Sequence, residues 1–344
     1  MKTKTVTLSL FLASGLILLI LVFYFYLRIY GSGLITQSGG KEFLYVRTHS
    51  NFNDLEKNLF RSGFLADTDN FKWVAHLLKF GKLIKPGKYE IENGMSYKKL
   101  FRKIQLGDQV PVVLILHNLR LKENLAGFVG KRLEVDSASI LEYFNKPGFA
   151  DSLGFTMENL YCLFLPNSYQ FKWNTTANQF MIRMVEEYRR YWNVSRKKLA
   201  EEHGLSPNQV IILASIVSQE SNKPFDMSLI AGVYLNRLKS GIKLEADPTV
   251  VFSNGDFSIR RVTQKYLAKD SPYNTYKYKG LPPGPITMPT EQALEAVLNS
   301  PATSYLYFCA KSDFSGNHAF AVTREEHQIN ARKFHDALNA RNIH

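Results

Sequence analysis

The sequence predicts an α+β protein in three parts: an N-terminal transmembrane helix, a small α+β subdomain and a larger mixed α+β domain. Three observations lead there. Thr5–Leu27 is a charge-free run dominated by Leu, Ile, Phe and Val; strand-like and helix-like stretches alternate between residues 41 and 117; and from Leu121 onward helical periodicity takes over, broken by loop and hairpin signals. We therefore assign residues 1–30 to a cytoplasmic tip and membrane anchor, 31–40 to a linker, 41–117 to the subdomain and 118–344 to the larger domain.

The apolar run is long enough to cross a bilayer, and Tyr24, Tyr26 and Tyr30 follow it as an interfacial belt, so it reads as an uncleaved anchor. Lys2 and Lys4 precede it and Arg28 follows, which places the N-terminus in the cytoplasm and the rest of the chain outside. The stretch GSGLITQSGG (31–40) reads as a flexible tether. After it, Phe43–His49 and Gly87–Ile91 have strand patterns, as does Val110–Leu116, and helical patterns cover Asn53–Arg61, Phe71–Phe80 and Tyr97–Leu106. Leu55, Leu59 and Phe60 form the apolar stripe of the first helix. This alternation resembles the LysM-like subdomain of some cell-wall enzymes, and two roles stay open for it, a glycan-binding module or a spacer.

Helical patterns follow at Lys122–Leu133, Ala138–Phe144 and Ala177–Trp192, with the aromatic stretch Leu160–Phe171, broken by Pro166, forming a packed corner or groove wall. Ser206–Glu220 is the centre of the larger domain: Ser206 is an N-cap, Pro207 suits the first helical position, and Ile211–Val217 are apolar nearly all round. This helix is internal. Glu220 falls in its last turn, where the helix end and apolar surroundings both favour the protonated acid; the alternative is a solvated terminal residue. Asp226–Lys239 is a second helix, closed by Gly241, burying Leu229, Ile230, Val233 and Leu238 and leaving Asn236 and Arg237 on other faces. Asp247, before Pro248, fits the N-cap of a third or a catalytic role. Pro272–Ile286 is a rigid loop in which Asn274, Thr275, Tyr276 and Tyr278 offer amide, hydroxyl and ring groups suited to sugars. Leu306–His327 reads as a hairpin turning at Gly316-Asn317.

A formal net charge of +13 favours anionic surroundings, but no zinc knuckle, arginine-rich arm or helix-turn-helix pattern points to nucleic acid. His318 and His327 fit no metal spacing, so neither metal nor cofactor is expected. Cys162 and Cys309 allow one disulfide or two buried thiols.

In order and spacing, LASIVSQES, AGVYLNRL, LEADPTVVF, YNTY, GLPPGPI and LYF…GNHAF…EH resemble the YceG-like family of endolytic murein transglycosylases. The resemblance implies that the larger domain is catalytic and that Glu220 is its catalytic acid. Across these motifs Ser221, Asn236, Arg237, Glu245, Asp247, Asn274, Thr275, Tyr276 and His318 are the expected substrate-binding residues. The family usually has Gln at Glu245 and a small residue at Cys162, so the local charge and the groove floor are expected to differ here. Peptidoglycan strands and the bacterial inner membrane are the implied partners; a peptidoglycan synthase is a further one. The implied reaction cleaves strands internally to 1,6-anhydromuramoyl ends without a cofactor, the substrate's own C6 hydroxyl replacing the second carboxylate of ordinary glycosidases. Two rivals remain: a non-catalytic glycan-binding scaffold, and a hydrolase in which Glu245 or Asp247 activates water.

Overall fold

A computed structural model describes residues 2–65, 67–81 and 83–341, with side chains described from residue 10. It is a mixed α+β structure dividing into two compact units. The first comprises residues 1–113 with 132–134 and 170–175; the second holds the remainder.

In the first unit α1 (Lys2–Tyr30) contains Leu10–Tyr30, which is long and apolar enough to cross a membrane, with mean hydropathy 2.6. Lys2 and Lys4, which carry the orientation expectation, have side chains outside those described. Arg28 lies 4.4 Å from the centroid of Trp73 and donates to Asn70 Oδ1 at 2.8 Å. Residues 31–40 are not a free tether. Leu34 is buried and its N–H donates to Met95 O, because an apolar residue in a glycine-rich stretch still gains by leaving water.

β1 (Lys41–Val46) pairs antiparallel with β2 (Gly87–Glu92), bringing Phe43 opposite Glu90 and Val46 opposite Gly87. The helices α2 (Phe52–Arg61), α3 (Thr68–Leu77) and α4 (Tyr97–Leu106) join them around Leu44, Leu59, Phe71, Tyr89, Leu100 and Phe101. Phe60, expected in the apolar stripe, is instead 66% exposed. The third helix starts at Thr68 rather than Phe71 because Asp67 caps it, accepting from Asn70 N, and it ends before Lys79 turns to φ +50°.

Strands β3 (Val112–Leu116) and β4 (Asn167–Phe171) form a separate two-stranded sheet. Helices α5 (Lys122–Gly130), α6 (Ser137–Asn145), α7 (Phe149–Ser152), α8 (Ala177–Tyr191) and α9 (Val194–Glu202) lead to α10 (Pro207–Glu220). This last helix is the expected internal one: a Ser206/Gln209 capping box starts it, and every residue from Val210 to Val217 is buried. It packs against α11 (Pro224–Lys239), α12 (Asp247–Asn254) and α14 (Glu291–Leu298), the short α13 (Gln264–Leu267) lying between the last two in sequence. β5 (Tyr307–Ala310) and β6 (His318–Ala321) form the expected hairpin, in register Tyr307 with Ala321, but Arg324–His327 already belong to α15 (Arg324–Ala340). The disulfide option does not hold: Cys162 is buried, Cys309 half-buried, and both are free.

The 272–286 loop is irregular, as its prolines require, and it is pinned to α10. Ser215 Oγ, wholly buried, donates to Ile212 O and accepts from Ile286 N at 3.1 Å. At Gly284 a Cβ would lie 2.0 Å from the backbone oxygen of Glu158, where nothing flexible can yield. Gly284→Ala is expected to destabilise the protein by about 2–3 kcal/mol, read as a lowered denaturant midpoint with an unchanged slope.

Candidate active site

Helix α10 ends at Glu220, and Ser221 turns the chain into extended backbone (φ −148°), so the glutamate is the last side chain the helix positions. Tyr234, on the neighbouring α11 and itself buried, donates its hydroxyl to Glu220 Oε1 at 2.6 Å. That bond occupies Oε1. The acidic proton is thereby directed to Oε2, which bonds to no described residue. Burial is the main force on this carboxyl, pushing its pKa up to about 7; the Tyr234 bond pulls it down, and the charge of Asp247 raises it further. Half-buried and bonded to a buried tyrosine, Glu220 is not a freely solvated helix terminus.

Glu220 and Asp247 both line two adjoining compartments of one cleft. The first, about 270 Å³, continues along Arg120, Gln219, Val251, Phe257 and Arg260. The second, about 260 Å³, is walled by Tyr234, Arg237, Glu245, Tyr276, Tyr307 and His327. The acid sits at their junction. Tyr276 donates to Asp247 Oδ1 at 2.6 Å, and burial, reinforced by Asp247, pushes the Tyr276 phenol far up, so it stays a donor at neutral pH.

Asp247 is not the N-cap: Ala246 holds that position, Asp247 is the first helical residue, and its carboxylate serves Tyr276 and the cleft. Arg237, expected away from the apolar face of its helix and on the substrate, is 7% exposed and donates to Leu306 O, Lys243 O, Leu244 O and Glu245 Oε2 (3.0 Å). This ion pair neutralises the carboxylate that the usual family glutamine would lack. Glu245 holds φ +50°, a left-handed conformation unusual for a non-glycine residue.

Four expected site residues do not face the cleft. Asn274 and Thr275 are buried; the Asn274 amide donates to Leu267 O and Lys269 O, while Thr275 Oγ1 accepts from Ala246 N and meets Thr249. These bonds build the loop that presents Tyr276. Asn236 donates to Thr303 O and Tyr305 O, fixing the approach to the hairpin. His318 Nδ1 lies 2.7 Å from buried Asp226, clamping the hairpin to the start of α11. Ser221, partly exposed beside Glu220, accepts from Lys223 N. Cys162 lines neither compartment, so the groove floor is not changed through it.

Sequence reasoning missed Tyr234 and Arg120 and considered His327 only as a metal ligand. A tyrosine inside the apolar run from Leu229 to Leu235 was the available signal for Tyr234, since a buried phenol needs a partner. Tyr234→Phe is expected to raise the Glu220 pKa, because the bond it removes is the one that lowers it; a titration of activity should show the alkaline limb displaced upward.

A model of the YceG-like family matches residues 44–333. The chain belongs to the YceG-like family. A Bacillus subtilis relative, named endolytic murein transglycosylase, is 35% identical over 175 residues, covering 51% of this YceG-like chain and 48% of the relative. A Streptococcus pneumoniae protein of the same name is 26% identical over 319 residues, covering 82% and 56%. The chain thus spans about half the length of the curated relatives it matches. A solved YceG-like protein from Listeria monocytogenes superposes with a TM-score of 0.56 at 26% identity, covering 84% of this chain and 98% of that one.

Proposed function

We propose that this protein cleaves peptidoglycan strands internally at the MurNAc–GlcNAc β-1,4 bond as a lytic transglycosylase, with Glu220 as its one acid and base. The observation that carries the reading is the neutral-range carboxyl at the junction of a two-sided cleft. A polymer can lie on both sides of such an acid. The names of the relatives support the substrate. Oε2–H of Glu220 protonates O4 of the departing N-acetylglucosamine as the C1–O4 bond breaks. The resulting carboxylate takes the proton from the muramoyl C6 hydroxyl as O6 bonds to C1. The acid is regenerated and no water is consumed. Tyr234 holds the carboxyl in place through both transfers.

The apolar helix anchors the enzyme in the bacterial inner membrane with its N-terminus in the cytoplasm and its cleft outside, close to where strands are made and to the synthases that make them. The net charge of +13 suits anionic lipid and stem-peptide carboxylates. Residues 41–117, in this reading, are a LysM-like module.

A hydrolytic second reading has its own observation: Asp247 shares the cleft with Glu220 and could activate water. Mass spectrometry of glycan digested by the full-length protein separates the two. Transglycosylation gives anhydro ends lighter by one water than the reducing ends of hydrolysis; reducing ends alone would replace the first reading with the second, and no products would leave a binding scaffold.

A further inference from the structure

The two compartments beside Glu220 differ in charge. The first holds two guanidinium groups, Arg120 and Arg260, and neither forms an ion pair with a described carboxylate. Arg120 is held in place: Nη2 donates to Gln219 Oε1 at 2.6 Å, and the guanidinium lies 4.4 Å from the Phe257 centroid. Arg260 is exposed at the same compartment. Asp247, which the second compartment shares, contributes one negative charge and is engaged by Tyr276.

The second compartment also contains an arginine, but Arg237 is spent on three carbonyls and on Glu245. What remains there besides the shared Asp247 carboxylate is hydroxyl and aromatic. His327 stacks on Tyr307 at 5.4 Å, its buried Nδ1 has no partner among the described residues, and burial, with Arg237 beside it, pushes its pKa down, which favours the uncharged ring. One side of the acid therefore offers unpaired positive charge, and the other offers none, only hydroxyls, rings and the Asp247 carboxylate that both sides share.

A murein strand alternates in the same way: N-acetylglucosamine is neutral, and each muramoyl unit bears a lactyl-linked substituent with free carboxylates. We propose that Arg120 and Arg260 are specificity residues that bind those carboxylates, seating the muramoyl unit in their compartment and N-acetylglucosamine in the tyrosine-lined one. The inference rests on the strand-cleaving reading above. It fixes the direction of the strand, so that the leaving O4 lies on the Tyr276 side of Glu220.

The test compares native sacculi with sacculi whose carboxylates have been amidated by carbodiimide and ammonia, using the full-length protein in detergent. Amidation should lower wild-type kcat/KM at least about tenfold, the worth of one charge-assisted contact at the low end of its range. Arg260→Gln and Arg120→Met should each lose part of that factor on native sacculi and part of the sensitivity to amidation, the double variant should be indifferent to it, and Arg120→Lys should keep more of the sensitivity than Arg120→Met. His327→Ala should lose activity equally on both substrates. The inference is overturned if amidation leaves the wild type unchanged, if it slows the arginine variants as much as the wild type, or if His327→Ala is the variant that becomes indifferent. A wild type that cleaves neither substrate removes the cleavage reading itself, which is a distinguishable result. Arg260, exposed and outside the core, keeps the comparison usable if an Arg120 variant fails to fold.

Discussion

Glu220→Gln is expected to lower strand cleavage by at least about 10³-fold while leaving the fold intact and raising its stability at alkaline pH. The rate loss follows from the site: Gln can accept the Tyr234 hydroxyl but has no proton to give the leaving oxygen. The stability gain follows from linkage. The folded-state pKa is about 7 against an ordinary 4.5, so the native protein holds the proton more tightly than the unfolded chain does. Stability is fully retained below 4.5, declines between 4.5 and 7, and above 7 carries the whole cost of a buried carboxylate, up to about 3 kcal/mol. Glutamine removes that cost. Thermal melting should show the variant more stable than wild type at pH 8 and indistinguishable from it at pH 4; equal melting at both values would mean the carboxyl is not held protonated by burial.

Arg237→Ala should be the most destabilising single change near the cleft, by about 3–5 kcal/mol. Its guanidinium, 7% exposed, is the shared donor for Leu306 O, Lys243 O, Leu244 O and the Glu245 carboxylate. These acceptors come from the hairpin and from the segment before α12, so the loss reaches both walls of the tyrosine-lined compartment. Glu245, already at φ +50°, would also lose the charge that holds it. Arg237→Lys should recover little, because one ammonium cannot reproduce the planar fork that reaches all four acceptors. Chemical denaturation with kcat/KM on the same samples tests this: a variant within about 1 kcal/mol of wild type would show that these bonds are replaceable.

The sequence disclosed what local pattern can carry. The internal helix α10 was legible in full, because its cap, its first-turn proline and its continuous apolar run are contiguous signals. The same holds for α4, matched from Tyr97 to Leu106, where Ser96 and Gly107 mark both ends. Helices α9 and α15 were passed over because burial does not mark them: Ala200 is the one buried residue of the first, and the second has none. In the site, the upward push of apolar surroundings on the Glu220 carboxyl was legible, whereas the Tyr234 bond and the Asp247 charge were not. What escaped was non-local. Tyr276 reaches Asp247 across 29 positions of sequence, and Arg237 reaches Leu306 across 69. Neither can be read from periodicity, which sends an arginine to the surface and an aspartate before proline to a cap. Asn274 and Thr275 erred the other way, since their polar groups are consumed inside the loop that they shape.

The central claim is that one half-buried carboxylic acid, its pKa raised to about 7, begins the reaction. The pH dependence of kcat/KM on purified strands tests it most directly. With Glu220 required as its acid form, activity should fall as pH rises through about 7, and Tyr234→Phe should move that fall to higher pH. A profile that stays flat from pH 6 to pH 9 in both proteins, or a fall near the ordinary glutamate range around 4.5, would contradict the account.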